Sequence, residues 1–274
     1  MPSLPLSALE IYKAILVICS IGLVISTLEF FCIRRSFGAD GVYSWAVFSA
    51  FLLKTRNVTL TKLLNAIFDV PGVVVLLGIR LLALLCILFA PISSVIFKVS
   101  LAVVILSILL FSWRKSFGDD GADQMNMILL ITTWLCTAIL EKGLLLKVGL
   151  WFIALQSVLS YGTAGIAKLV SPTWRSGQAV LGVFSTGGYG LDWAAHFLQG
   201  RSLLNYLLCW SVMLIESGFL VALFLPFPYA VMFLIWGVGF HLLCAIIMGL
   251  NNFFWAFLAS YPAVIYVWWA IHAS

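Results

Sequence analysis

Eight apolar stretches, roughly 11–33, 72–91, 93–112, 125–140, 148–169, 203–225, 228–249 and 252–271, each approach the length a helix needs to cross a bilayer. Backbone groups in hydrocarbon must be satisfied within the segment, so spans of this kind are helical. The expected fold is therefore an all-α integral membrane protein, a bundle of about eight transmembrane helices forming a single domain over residues 1–274. Composition agrees: 64% of residues are hydrophobic and only 9% are charged, which excludes a soluble globular domain.

The fourth stretch is short, and the second and third are separated only at Pro91-Ile92-Ser93-Ser94, so a hairpin of two crossings is expected there. Between the first and second spans, Val42 to Leu53 and Val58 to Phe68 are too brief or too polar to cross and fit interfacial helices. Residues 184–200, FSTGGYGLDWAAHFLQG, read as a loop or re-entrant turn with an amphipathic tail. The first span is followed by Arg34-Arg35 with no small-residue cleavage site, so it is expected to be a retained helix.

An octapeptide recurs: Arg34-Arg35-Ser36-Phe37-Gly38-Ala39-Asp40-Gly41 is echoed by Arg114-Lys115-Ser116-Phe117-Gly118-Asp119-Asp120-Gly121. Each copy follows an apolar span and reads as a basic interfacial anchor before an Asp-Gly turn, the glycine supplying positive φ. Asp119, Asp120 and Asp123 have the wrong spacing for a calcium loop and fit a turn followed by a helix N-terminus, where acids are favoured.

Every two crossings return the chain to one side, so loops 34–71, 113–124 and 170–202 share a face. That face carries Arg34, Arg35, Lys54, Arg56, Lys62, Arg114, Lys115, Arg175 and Arg201, against Lys142 and Lys147 opposite. The positive-inside rule makes it cytoplasmic, with both termini outside. The net charge of +5 is spread without a basic run, which implies the lipid bilayer as partner and no nucleic acid. All six cysteines fall in apolar segments without a CxxC pair, so free buried thiols are expected and no metal site.

Chemistry centres on Ser160–Gly177, SYGTAGIAKLVSPTWRSG. Lys168 ends an apolar span, Gly162, Ala164, Gly165 and Ala167 keep the preceding turns slim, and Pro172 stops the helix. One reading is a lysine that snorkels to the interface. The other is a desolvated amine acting as general base. Further titratable groups inside apolar spans are Glu29, Arg80, Lys98, Glu216 and His241. Lys98 reads as an anchor, and Arg80 is expected to pair with Glu29 or Glu216. Glu216, mid-span, requires a strong partner or a proton. A lone His241 on an apolar face is more often a hydrogen-bonded core residue than a catalyst.

These residues carry a resemblance. Tyr161-Gly162-Thr163-Ala164-Gly165-Ile166-Ala167-Lys168-Leu169 with Trp174 and Gly177 is similar to the signature of vitamin K-dependent gamma-glutamyl carboxylases and their bacterial relatives, the HTTM membrane proteins. Leu214-Ile215-Glu216-Ser217-Gly218-Phe219-Leu220 resembles that family's acidic helix centre. Phe240-His241, Met248-Gly249 and Phe257-Leu258-Ala259-Ser260 resemble its histidine helix and successor. The likeness covers residues 150–262. It implies that Lys168 matches the base that deprotonates vitamin K hydroquinone, with His241 and Glu216 as further catalytic candidates, and that Asp123 is the nearest counterpart of an assisting histidine. It further implies a quinone or quinol cofactor, packed on Gly162 and Gly165 and clamped by Tyr161 and Trp174. After the eighth span the large extramembrane domain with which carboxylases hold substrate proteins is not expected, nor therefore is peptide carboxylation. In layout it looks like bacterial proteins of the sporulation-delaying-protein B type, which implies a bacterial cytoplasmic membrane location. The two functions implied are a lysine-based enzyme acting on a quinol-like or lipid-embedded substrate, and a non-enzymatic membrane partner of a small secreted peptide or an oxidoreductase.

Overall fold

A computed structural model describes residues 6–52, 58–114, 119–140 and 143–273, and the described residues are helices joined by turns. In chain order these are α1 (Ala8–Cys32), a 3-10 turn (Arg34–Phe37), α2 (Trp45–Leu52), α3 (Val58–Phe68), α4 (Val70–Phe89), α5 (Val95–Arg114) and α6 (Gly121–Trp134), which runs on into a π-helical segment (Leu135–Leu140). There follow α7 (Gly143–Val170), α8 (Pro172–Arg175), α9 (Ala179–Phe184), α10 (Asp192–Leu198), α11 (Ser202–Ala222), α12 (Phe227–Met248) and α13 (Asn251–Ala273). Seven of them, α1, α4, α5, α7, α11, α12 and α13, are long and apolar enough to cross a membrane. The protein is an all-α, multi-pass membrane bundle. The remaining expected span, 125–140, is the α6 helix widened by its π segment, and the two together reach about the length of a crossing.

The chain groups into two compact units, residues 16–142 and residues 1–15 with 143–274. In the first, α4 and α5 form the expected hairpin. Ser94 terminates its turn by accepting from the Phe97 amide at 3.2 Å and donating to the Pro91 carbonyl at 2.8 Å. Phe37, Val73, Leu77 and Phe111 make one core cluster of this unit, and Trp45, Leu64 and Phe68 another, which seats α2 and α3. Arg80 was expected to pair with Glu29 or Glu216. Its hydrogen bonds go instead to Ser107, Nε to the hydroxyl at 2.9 Å and Nη2 to the carbonyl at 3.2 Å, and its guanidinium lies 4.6 Å from the Phe111 ring centre. A neutral hydroxyl, a carbonyl and a π face thus take its hydrogen bonds and cation–π contact, and the charge that acts on it is that of Asp123.

The first octapeptide copy forms the 3-10 turn and the loop closed by the Tyr43 amide donating to the Ser36 carbonyl at 3.0 Å. Gly41 is not among the positive-φ glycines, which are Gly177, Gly200 and Gly249. It is needed because a Cβ there would collide with the Ser36 backbone. Part of the second copy, residues 115–118, lies outside the described residues. The expected helix start follows, and Asp120 caps α6, accepting from the amides of Ala122 at 2.9 Å and Asp123 at 2.8 Å.

In the second unit α7 packs against α11 and α13, and α12 packs against α13. Pairings at both ends, Phe227 with Trp268 and His241 with Phe257, make α12 and α13 antiparallel. The left-handed Gly249 closes α12, with its N–H donating to the Cys244 carbonyl.

Candidate functional site

The site grows out of the α7–α11 contact. Gly162 faces Leu220 and Gly165 faces the Ser217 backbone so closely that a Cβ at either glycine would collide. Both glycines were expected to admit a neighbouring helix or a flat ring. The room they make is filled by α11, because two helices can approach this closely only where one presents no side chain. The antiparallel register set by these glycines brings Lys168, nearly one helical turn after Gly165, opposite Glu216.

Lys168 Nζ donates to Glu216 Oε2 at 2.6 Å, and the two side chains are 22% and 4% exposed. The lone desolvated amine expected from sequence is therefore replaced by an ion pair. A buried carboxylate with no other cation beside it would cost several kcal/mol, on the order of 3–5, and the lysine offsets that cost. Trp174 lies over the ammonium, its ring centre 5.4 Å from Nζ.

Glu216 lies about 21 Å along α11 from Ser202 at ~1.5 Å per residue. Lys168, in the last turn of α7, therefore meets α11 well along its length. Pro172 ends α7 early, and the strap formed by α8, α9 and α10 packs along the first half of α11. Gly177, at φ 79°, meets the Tyr206 backbone, and Trp210 Nε1 donates to the Arg175 carbonyl at 3.3 Å. Ala179, Cys209 and Met213 form a cluster with Leu169 and Trp174, and Asn205 Nδ2 donates to the Leu198 carbonyl at 2.9 Å. The segment expected from sequence as a loop or re-entrant turn with an amphipathic tail ends in the short helix α10. Its α10 tail buries Ala194 and Leu198 and exposes Trp193 and Phe197, as an interfacial helix does.

Around the ion pair lie groups that its charges reach electrostatically: His241, Tyr161 and Cys244. Tyr161 stacks on Phe219 with ring centres 4.0 Å apart, and its hydroxyl hydrogen-bonds that of Tyr261 at 2.7 Å. A Cβ at Gly237 would strike the Tyr261 hydroxyl, so that glycine makes room for the tyrosine pair. His241 is 6% exposed and lies parallel to Phe257 at 4.5 Å, yet its Nε2 has no hydrogen-bond partner. The neighbouring Ser217 Oγ is buried without a partner as well. Buried polar atoms are nearly always paired, so these two stand out beside the ion pair, Ser217 Oγ facing Gly165 in the close α7–α11 contact.

The structure therefore brings together Lys168, Glu216, His241, Tyr161 and Trp174. Asp123 belongs to the other unit, on the first turn of α6, where its charge acts on Arg80. Sequence reading missed Tyr261, Ser217 and Cys244, which carry no spacing signal because their neighbours come from other helices. Among the described residues no three potential metal ligands converge, and all six cysteines are free thiols. Comparison with protein-family models, with curated proteins and with solved structures found no match.

Proposed function

We propose that this multi-pass membrane protein is an enzyme that deprotonates a quinol-like, lipid-embedded substrate with the Lys168–Glu216 pair. The observation that carries the reading is a salt bridge at 2.6 Å between two apolar helices, with the lysine partly exposed and unpartnered His241 Nε2 and Ser217 Oγ near it. Such a pair is poor evidence of a stability role, since a buried ion pair is often no better than apolar packing of the same volume. As an acid–base device it has a clear use. Nζ passes a proton to Glu216 Oε2 and takes the substrate's hydroxyl proton. The ammonium then faces the new oxyanion, where low dielectric strengthens their attraction. His241 and Ser217 hold the far polar group of the substrate, and Trp174 packs on its ring.

The proposal includes membership of the HTTM proteins, a quinone or quinol as the bound molecule and a bacterial cytoplasmic membrane as the location. Its support is the resemblance carried by residues 150–262. The test is to purify wild type, Lys168→Ala and Lys168→Arg as monodisperse protein, extract bound molecules for mass spectrometry and assay quinol oxidation. A bound quinone and a loss of about 10²–10⁴-fold in both variants are expected. Full activity in Lys168→Arg overturns the base mechanism, because a guanidinium is not deprotonated in proteins. A stoichiometric small peptide in place of a quinone makes the protein a non-enzymatic partner in peptide maturation.

A further inference from the structure

Two of the left-handed glycines, Gly177 at φ 79° and Gly200 at φ 76°, stand at the two ends of the segment that holds α9 and α10. Gly177 is held in place by the backbone of Tyr206. At Gly200 a Cβ would meet nothing within 4 Å, so only the left-handed backbone calls for glycine there. Two side chains of α11 tie this part of the chain down, and they do so at the same two ends. Trp210 Nε1 donates to the Arg175 carbonyl, just before Gly177, and Asn205 Nδ2 donates to the Leu198 carbonyl, just before Gly200. Between those bonds α9 meets α11 through apolar groups, with Ala179 on Cys209 and Met213 and with Val180 packed against the same cluster. The Oδ1 of Asn205 is buried without a partner, so the seating of the segment leaves a polar atom unmet.

We infer that residues 178–199 are a lid, hinged at Gly177 and Gly200, over an apolar chamber beside the Lys168–Glu216 pair. Hinges are a few residues that absorb the backbone change, and glycine has both signs of φ open to it. A segment bonded at its ends and seated between them by small apolar side chains opens at lower cost than a helix packed along its length. Gly182, Gly187 and Gly188 within it have open space where a Cβ would stand, so nothing packs closely on those positions. The floor of the chamber is Cys209 and Met213, both fully buried, and Met213 precedes Glu216 by three residues on α11. Its wall is Trp174, which packs on this cluster and has its ring centre 5.4 Å from Lys168 Nζ. Lifting the lid withdraws Ala179 from the cluster and with it part of what holds the indole over the ammonium. The lid is a property of the fold and does not depend on the reaction proposed above.

The experiment uses the full-length protein in lipid nanodiscs, N-ethylmaleimide as the probe and peptide mass spectrometry to follow each cysteine. Each rate is divided by that of the same thiol in dodecyl sulfate, which removes differences in intrinsic reactivity. Cys209 is 0% exposed, as is Cys19 in α1, so a rigid protein would modify both equally slowly. The lid is expected to make Cys209 about tenfold faster than Cys19. Ser157→Cys puts a thiol at a fully buried position of the same unit, between α7 and α13, and is expected to stay as slow as Cys19. Asn205→Ala, confirmed to be monodisperse, removes the bond to Leu198 and is expected to speed Cys209 about fivefold further, as loss of one hydrogen bond from the closed state does. The other rates decide if that variant does not fold. Cys209 no faster than Cys19, an unchanged Cys209 rate in folded Asn205→Ala, or Ser157→Cys as fast as Cys209, the mark of the whole unit opening, overturns the inference. The alkylation rates need no turnover, so failure of the lid and failure of the proposed enzyme are told apart.

Discussion

At the scale of single residues, the Lys168–Glu216 pair is judged by what each partner does without the other. Replacing Lys168 by Met leaves a nearly buried carboxylate with nothing to balance it, and a loss of about 2–3 kcal/mol is expected, below the fully buried range because one side of the lysine is open. Replacing both, as Lys168→Met with Glu216→Leu, removes the unbalanced charge along with the pair. The double variant is expected to be more stable than Lys168→Met alone, and a thermal-unfolding comparison in one detergent decides it. A double variant less stable than the single one would mean that the pair is a structural staple. His241 gives a second residue-scale contrast. Its Nε2 makes no hydrogen bond, so His241→Phe should cost less than about 1 kcal/mol of stability while abolishing binding of any ligand that fills that space.

At the scale of elements, the α7–α11 contact decides whether a site exists. Gly165→Ala places a methyl group against the backbone of Ser217, which cannot yield as a side-chain tip can, and the expected cost is about 1–3 kcal/mol with loss of the Lys168–Glu216 contact. Gly182→Ala in α9 meets nothing within 4 Å and serves as the control, with no loss expected. Thermal unfolding of the two variants tests this, and equal effects would show that the register does not rest on Gly165. The strap is the second element. Gly177 holds positive φ against Tyr206, so Gly177→Ala combines backbone strain with a clash, and detachment of the strap is expected to raise proteolytic cleavage between α8 and α10.

At the scale of the molecule, seven long apolar helices make extraction without detergent unlikely to succeed, and the protein is expected to stay in the pellet after an alkaline carbonate wash. Within the unit that carries Lys168, antiparallel α11, α12 and α13 place the glycine-rich strap and the Gly249 turn at one face and Pro226 at the other. Single cysteines introduced at Gly188 and Asn251 in a cysteine-free background should react with an impermeant thiol reagent from the same side, and one at Pro226 from the opposite side. Labelling of Gly188→Cys and Asn251→Cys from different sides would remove the re-entrant strap and make the segment an additional crossing.

The sequence by itself determined the all-helical membrane class, the hairpin break near Pro91 and the helix start at Asp119, Asp120 and Asp123, and it singled out Lys168 as a candidate. These are local properties: twenty apolar residues must satisfy their own backbone, a gap of proline and serines separates two apolar spans, and acids are favoured at a helix start. Tertiary structure alone decided which acid meets which base. Glu216 was equally available to Arg80 and Lys168 on paper, and the choice was made by two glycines that set the α7–α11 register and by a serine and a phenylalanine that satisfied Arg80 within its own hairpin. The purpose of Gly162 and Gly165 followed the same rule: a small residue announces a close approach, and only the packed structure says whether a ligand or a helix makes it.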